Sequence, residues 1–217
     1  MTDRVMALLG GAILILFVVL FLLTRPQPAR NIAEGDRLRA EGNYDRAIAE
    51  YSRAIQLDPN LATAYHHRGI AYYDQANYPQ AIEDLTHAIS LSPNDGAIYA
   101  SRALAYYAQG SFDLAQADAA QAVQLSPNSA GAYYARGLIE HALEQMQPAE
   151  ADLSRAVQLD PNMADAHLWL AEVYYKEGKW QDALDHYQRY LDLGGGVGSD
   201  YVPRRIRELQ MTLGQGG

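Results

Sequence analysis

The side chains of this chain best suited to metal or acid–base chemistry are six histidines: His66, His67, His87, His141, His167 and His186. None stands in the HExxH spacing that sets two imidazoles and a general-base glutamate on one helix face. The sequence has no cysteine, which excludes mixed Cys/His metal sites, disulfides and a lipid-modified cysteine. The run GGGVG at 194–198 lacks the Lys-Ser/Thr of a phosphate loop and follows no strand pattern, so it reads as a flexible break. Serine, histidine and aspartate are present, but the periodicity described next assigns most of them to solvated or interhelical positions. No catalytic, cofactor or metal site is expected. The remote alternative is a metal or cofactor carrier using His66, His67 and His141.

The elements that must position these side chains repeat. LDPN at 57–60 returns as LSPN at 91–94, LSPN at 125–128 and LDPN at 159–162, a strict interval of 34 residues. Such a period marks a repeat array. Counting back from the prolines gives five units, 28–61, 62–95, 96–129, 130–163 and 164–197, each with two helical patterns broken by a short turn. In the second unit Pro79 opens the second helix, where its missing N–H costs nothing, and Pro93 ends it. The twentieth position of every unit is alanine (Ala47, Ala81, Ala115, Ala149, Ala183), and the eighth is Gly35, Gly69, Ala103, Gly137 and Ala171. Small residues at both places let two helices approach closely. The seventeenth position is bulky (Tyr44, Tyr78, Phe112, Met146, Trp180) and the thirtieth is always leucine (Leu57, Leu91, Leu125, Leu159, Leu193); both are expected to be core rows.

This pattern resembles the tetratricopeptide repeat (TPR) family. The period, the Gly/Ala at position eight, the tyrosines at eleven (Tyr72, Tyr106, Tyr174), the alanine at twenty and the closing proline all match over about 28–197. The resemblance implies an all-α, right-handed superhelical solenoid of antiparallel helix pairs with a concave groove. Units one and five depart from the pattern, as terminal units of a solenoid do because each has one neighbour. Beyond the glycine-rich break, residues 198–217 read as a capping helix over roughly 201–213 with a tail. Ser199 or Asp200 would cap it, and Val202, Ile206, Leu209 and Leu213 fall on one face.

Aligning the units with one another exposes a covarying pair. Position seven is Arg68, Arg102 and Arg136 in the central units, and position twenty-three is Asp84, Asp118 and Asp152. Both change together in unit one (Glu34, Glu50) and unit five (Leu170, His186). An Arg–Asp ion pair between the helices of each central unit is expected, since either charge buried alone is costly.

Residues 5–23, VMALLGGAILILFVVLFLL, contain no charged side chain. As a helix they would span about 28 Å, close to the ~30 Å hydrocarbon core of a bilayer. The run is longer than a signal-peptide core and no small-x-small cleavage site follows, so it reads as a single-pass anchor behind a short tail, 1–4. Arg25 and Arg30 follow the span and only Arg4 precedes it, which by one side chain places the repeat domain on the cytoplasmic side. Residues 24–30, with Pro26 and Pro28, read as a stiff extended linker of about 20 Å. Residues 31–197 carry eleven basic and twenty-three acidic side chains, a balance that repels phosphate backbones and argues against nucleic acid.

Function is expected in the groove. The resemblance assigns its lining to first-helix positions two, five, six, nine, twelve and thirteen, which supply His66, His67, Tyr73, Tyr107, Tyr134, His141, Trp169 and Tyr175. Family members that grip chaperone C-terminal carboxylates place Lys, Arg and Asn in these rows, and units two to four have none there. Tyrosine and tryptophan anchor protein interfaces at low entropic cost. Position twelve lies about 100° beyond the core tyrosines at eleven and is expected to look away from the helix pair. The reading is a membrane-anchored adaptor that binds a protein or peptide and assembles or stabilises a membrane complex. The alternative is a dedicated structural subunit of such a complex, for which Gly10 and Gly11 lack the GxxxG spacing of close helix contact.

Overall fold

A computed structural model describes residues 27–215, as eleven helices and no strand among those residues. The helices are α1 (Pro28–Ala40), α2 (Tyr44–Leu57), α3 (Ala62–Asp74), α4 (Tyr78–Leu91), α5 (Gly96–Gln109), α6 (Phe112–Leu125), α7 (Ala130–Ala142), α8 (Met146–Leu159), α9 (Ala164–Lys176), α10 (Trp180–Asp192) and α11 (Tyr201–Gln215). The tail 1–4, the apolar segment 5–23 and the start of the linker lie outside the described residues. Among the described residues no helix is long and apolar enough to cross a membrane. Pro28 to Arg30 form the first turn of α1 and are not extended linker. A proline at a helix start loses no hydrogen bond and already has the helical φ.

Two local devices, repeated, make the chain fold back at each step. The corner after each second helix is a turn in which the carbonyl of Asp58, Ser92, Ser126 or Asp160 accepts from the N–H three residues on, at 3.0–3.3 Å. In the two LDPN corners the aspartate carboxylate also accepts from the following asparagine N–H at 3.0 Å, which ties the turn from its own side chain. Within each unit the first helix ends at position fifteen in the left-handed region: Gly42, Ala76, Gly110, Glu144 and Gly178 have φ between 59° and 85°. The next N–H then bonds the carbonyl of position eleven at 2.8–2.9 Å, closing the helix end.

First and second helices of a unit pack antiparallel, and each second helix leans on the next first helix. First helices of successive units also touch one another, whereas second helices of successive units do not. The first helices therefore line the inside of a curve and the second helices its outside. The alanines at position twenty are completely buried in all five units. At position eight a Cβ on Gly35, Gly69 or Gly137 would fall 2.4–2.8 Å from Tyr51, Leu85 or Leu153. Those larger residues occupy position twenty-four, so a missing side chain on one helix is filled from the other. In unit three two alanines, Ala103 and Ala119, meet there instead.

Rows seventeen and thirty are not core. Phe112 and Trp180 are 41% and 37% exposed, Leu57 is 42% exposed, and none of the other residues in these two rows is buried. Both rows sit beside turns at the edges of the stack, where no further layer covers them. The real core adds rows three, ten and twenty-four, among them Ala64, Ile98, Ala71, Ile139, Tyr51 and Tyr187. Helix α11 buries Val202, Ile206 and Leu209 against Ala171, Ala183 and Tyr187, and Ser199 Oγ accepts from the Tyr201 N–H at 3.3 Å.

Candidate functional site

In each central unit one arginine joins the two helices. Arg68 donates to both carboxylate oxygens of Asp84 at 2.7 and 2.8 Å, and Arg102 to those of Asp118 at 2.7 and 2.9 Å. Arg136 makes the same two-point bond to Asp152. The aspartates are buried and the guanidiniums largely so. Each guanidinium also lies 5.6–5.8 Å from the ring centroid of the position-four tyrosine: Tyr65, Tyr99 or Tyr133. Arg68 and Arg102 further donate to Ser52 and Thr86 of the preceding unit. Unit three has Ala120 at that place, so Arg136 has no such hydroxyl, and Glu140 stands beside it at 3.9 Å. Burial, and then the Asp152 carboxylate, push the Glu140 carboxyl up to about 7. These residues hold helices together; among them Glu140 keeps one buried carboxylate oxygen, Oε2, without a hydrogen-bond partner.

The residues expected to line the groove divide into three groups. His66 Nε2–H donates to Ser101 Oγ of the next unit at 2.9 Å, and burial lowers its imidazole to about 4. His67 Nδ1–H donates to Asp36 of the preceding unit at 2.6 Å. These two histidines are joints between units. His141 and Tyr175 are covered. His141 is 8% exposed with its ring 5.2 Å from that of Trp169, and Tyr175 lies under the Arg205 guanidinium of α11, 4.1 Å from its ring centroid. The expectation that position twelve looks away from the helix pair is therefore corrected. Its rings fold over the turn onto position seventeen, with Tyr73 5.8 Å from Tyr78, Tyr107 6.0 Å from Phe112 and Tyr175 5.5 Å from Trp180. The carrier reading for His66, His67 and His141 finds no site, because no three potential ligands meet among the described residues.

The third group is Tyr73, Tyr107, Tyr134 and Trp169, half-buried on four successive first helices. Burial raises the Tyr73 and Tyr134 phenols; after it, Tyr78 and Asp74 raise Tyr73 most, with a smaller push from Asp165, and the negative charge of Asp165 raises Tyr134. Tyr107 acts on the same two phenols. Asp165 stands one turn before Trp169 on α9, Trp169 and Tyr134 pack against the same core cluster, and the first helices of successive units touch, so residues from units two, three, four and five share one patch on the inner face. Asp165, at position two of unit five, is exposed in the first turn of α9 and belongs to this patch, although sequence reasoning did not single it out.

The family description "TPR repeat" matches residues 35–76, and "Tetratricopeptide repeat" matches 62–95, 100–164 and 145–197. The chain belongs to the tetratricopeptide repeat family. Among solved structures it is similar to TTC0263, a thermophilic TPR protein of Thermus thermophilus, with a TM-score of 0.73 at 22% identity over 85% of this chain and 100% of that one. It is also similar to pilF of Pseudomonas aeruginosa, with a TM-score of 0.67 at 18% identity over 87% and 90% of the two chains. YrrB, described as a TPR protein with an unusual peptide-binding site, gives 0.52 at 21% identity over 82% and 91%. At these identities the likeness shows the fold. No curated protein matches the sequence.

Proposed function

We propose that this protein is a membrane-anchored interaction scaffold that receives a protein or peptide segment on the inner face of its repeat array. The observation that carries the reading is the patch of Tyr73, Tyr107, Tyr134 and Trp169, drawn from four units and only half-buried. In unit five the position-twelve ring, Tyr175, is covered by Arg205 of α11, whereas no arginine or lysine lies over these four among the described residues. Rings of this kind give contact area at small entropic cost. The anchor rests on the uninterrupted apolar run 5–23, and attachment would hold the array beside a bilayer to assemble or stabilise a complex there. The arginines that follow the run favour the cytoplasmic side for the repeat domain.

Site-specific photocrosslinking tests this. With the full chain in its native membranes, a photoreactive phenylalanine at position 107 is expected to capture a discrete partner. The same group at position 114, exposed outside the inner face, is expected to capture none of it. Equal capture from both positions would contradict the groove reading. A protein released by carbonate from those membranes would contradict the anchor.

A further inference from the structure

We infer that the partner enters this patch with an arginine or lysine side chain, seated among Tyr73, Tyr107, Tyr134 and Trp169 and neutralised by Asp165. The inference rests on the groove reading and specifies the chemistry of the occupant.

The first support is charge. Three other carboxylates of the first helices are spoken for: Asp36 accepts from Tyr51 and His67, Asp74 pairs with Arg39 at 2.9 Å, and Glu172 accepts from Tyr187 and Tyr201. Asp165 has no ion-pair or side-chain hydrogen-bond partner among the described residues. Lys176, the basic residue of the same helix, stands eleven positions on, about 16 Å along the axis. A lone carboxylate among aromatic side chains attracts a cation and rejects an anion.

The second support is an internal copy of the arrangement. Unit five already has a cation over its position-twelve ring, since Arg205 of α11 covers Tyr175 at 4.1 Å. The same guanidinium lies 5.3 Å from the Tyr201 ring, and Tyr201 donates its hydroxyl proton to Glu172 at 2.7 Å. Arg205 pairs with Glu208 of its own helix at 3.4 Å, so a ring of the array and a guanidinium meet where a helix docks, and the array's Glu172 is reached through the Tyr201 hydroxyl. Tyr73 and Tyr107 are the same column two and one units before His141, and no arginine or lysine lies over them or over Tyr134 among the described residues. An incoming segment would do there what α11 does in unit five.

The test uses the full chain in a non-ionic detergent with Trp180→Phe, which leaves Trp169 as its single indole because the sequence has two tryptophans. The probes are an acetylated Gly-Arg-Gly-Arg-Gly amide and its glutamate counterpart, titrated while Trp169 emission is read. The arginine peptide is expected to change the emission saturably and the glutamate peptide to leave it flat. Asp165→Asn is expected to raise the Kd about tenfold with little change in melting, while Asp165→Glu keeps binding. Asp165 is exposed, so its replacement leaves the fold intact to be tested. Identical responses to both peptides, or an Asp165→Asn affinity equal to that of the parent, would overturn the inference. If crosslinking from position 107 still captures a partner in that case, the cation reading alone fails; if it captures none, the groove reading fails with it.

Discussion

Units two to four and units one and five solve the same joint with different chemistry. In the central units a position-seven arginine bridges to a position-twenty-three aspartate beneath a position-four tyrosine. The outer units have no such arginine. There, position four bonds position twenty-three directly, Asn31 to Glu50 at 2.8 Å in unit one and His167 to His186 at 2.8 Å in unit five. His167 Nε2–H donates to the Pro161 carbonyl, so its Nδ1 accepts and His186 Nδ1–H donates; burial lowers both imidazoles and keeps the pair neutral. The outer units also carry a tyrosine at position twenty-four whose hydroxyl reaches an acid at position nine: Tyr51 to Asp36 at 2.8 Å and Tyr187 to Glu172 at 2.6 Å. In each case the same carboxylate oxygen accepts a second bond from the next layer, His67 of unit two or Tyr201 of α11. The central units thus set their strongest ion pairs inside the helix pair, with Arg68, Arg102, His66 and His67 also reaching a neighbouring unit, and leave rings on the inner face. The outer units use theirs to fasten a neighbouring layer.

Breaking one central bridge gives the largest expected effect. Asp118→Ala strands a buried guanidinium and should cost about 3 kcal/mol or more in denaturant unfolding. The double change Arg102→Met with Asp118→Leu should cost far less. Equal losses would mean that the bridge is not a coupled pair.

Glu140 tests the central unit in which the pattern is strained. Its folded pKa of about 7 lies above the ordinary carboxylate value, so the folded state holds the proton more tightly than the unfolded. Stability from this group is present below about 4.5 and is lost as pH rises through about 7. Glu140→Gln should remove that loss and gain up to about 3 kcal/mol at pH 8, with little gain at pH 4.5. A gain that is the same at both pH values would contradict the assignment.

Loosening the outer fastenings should cost less. Tyr51→Phe and Tyr187→Phe each delete one hydroxyl bond to a carboxylate that keeps its second donor, for about 1.5 kcal/mol. The loss should be accompanied by faster amide exchange in the layer each carboxylate holds. A loss as large as that of Asp118→Ala would erase the distinction between the two kinds of joint. The smallest effect should come from the turns. Ala76→Gly and Glu144→Gly relieve a left-handed φ and should each stabilise by about 1 kcal/mol, read as a rise in Tm.

Much of this is legible in the sequence. The 34-residue period places every unit boundary, and the joint disappearance of Arg and Asp in the outer units points to the bridge. The Tyr–acid fastening leaves the same kind of signal, acids at position nine and tyrosines at twenty-four in units one and five only, and comparing those two columns would find it. The inner-face patch leaves no such signal. Tyr73, Tyr134 and Asp165 sit at three different positions of three different units, and they converge only because the stack curves. Position twelve misleads for a related reason: rotation about one helix says nothing of where the next helix, carrying position seventeen, returns.

The central claim is that the inner face of the central units binds and the outer joints hold. Hydrogen exchange of the full chain with and without the partner recovered by crosslinking tests it most directly. Protection is expected along α3, α5, α7 and the start of α9, around Tyr73, Tyr107, Tyr134 and Asp165, with α4, α6, α8 and α11 unchanged. Protection concentrated on α11 or on the second helices, with the inner face unaffected, would contradict it.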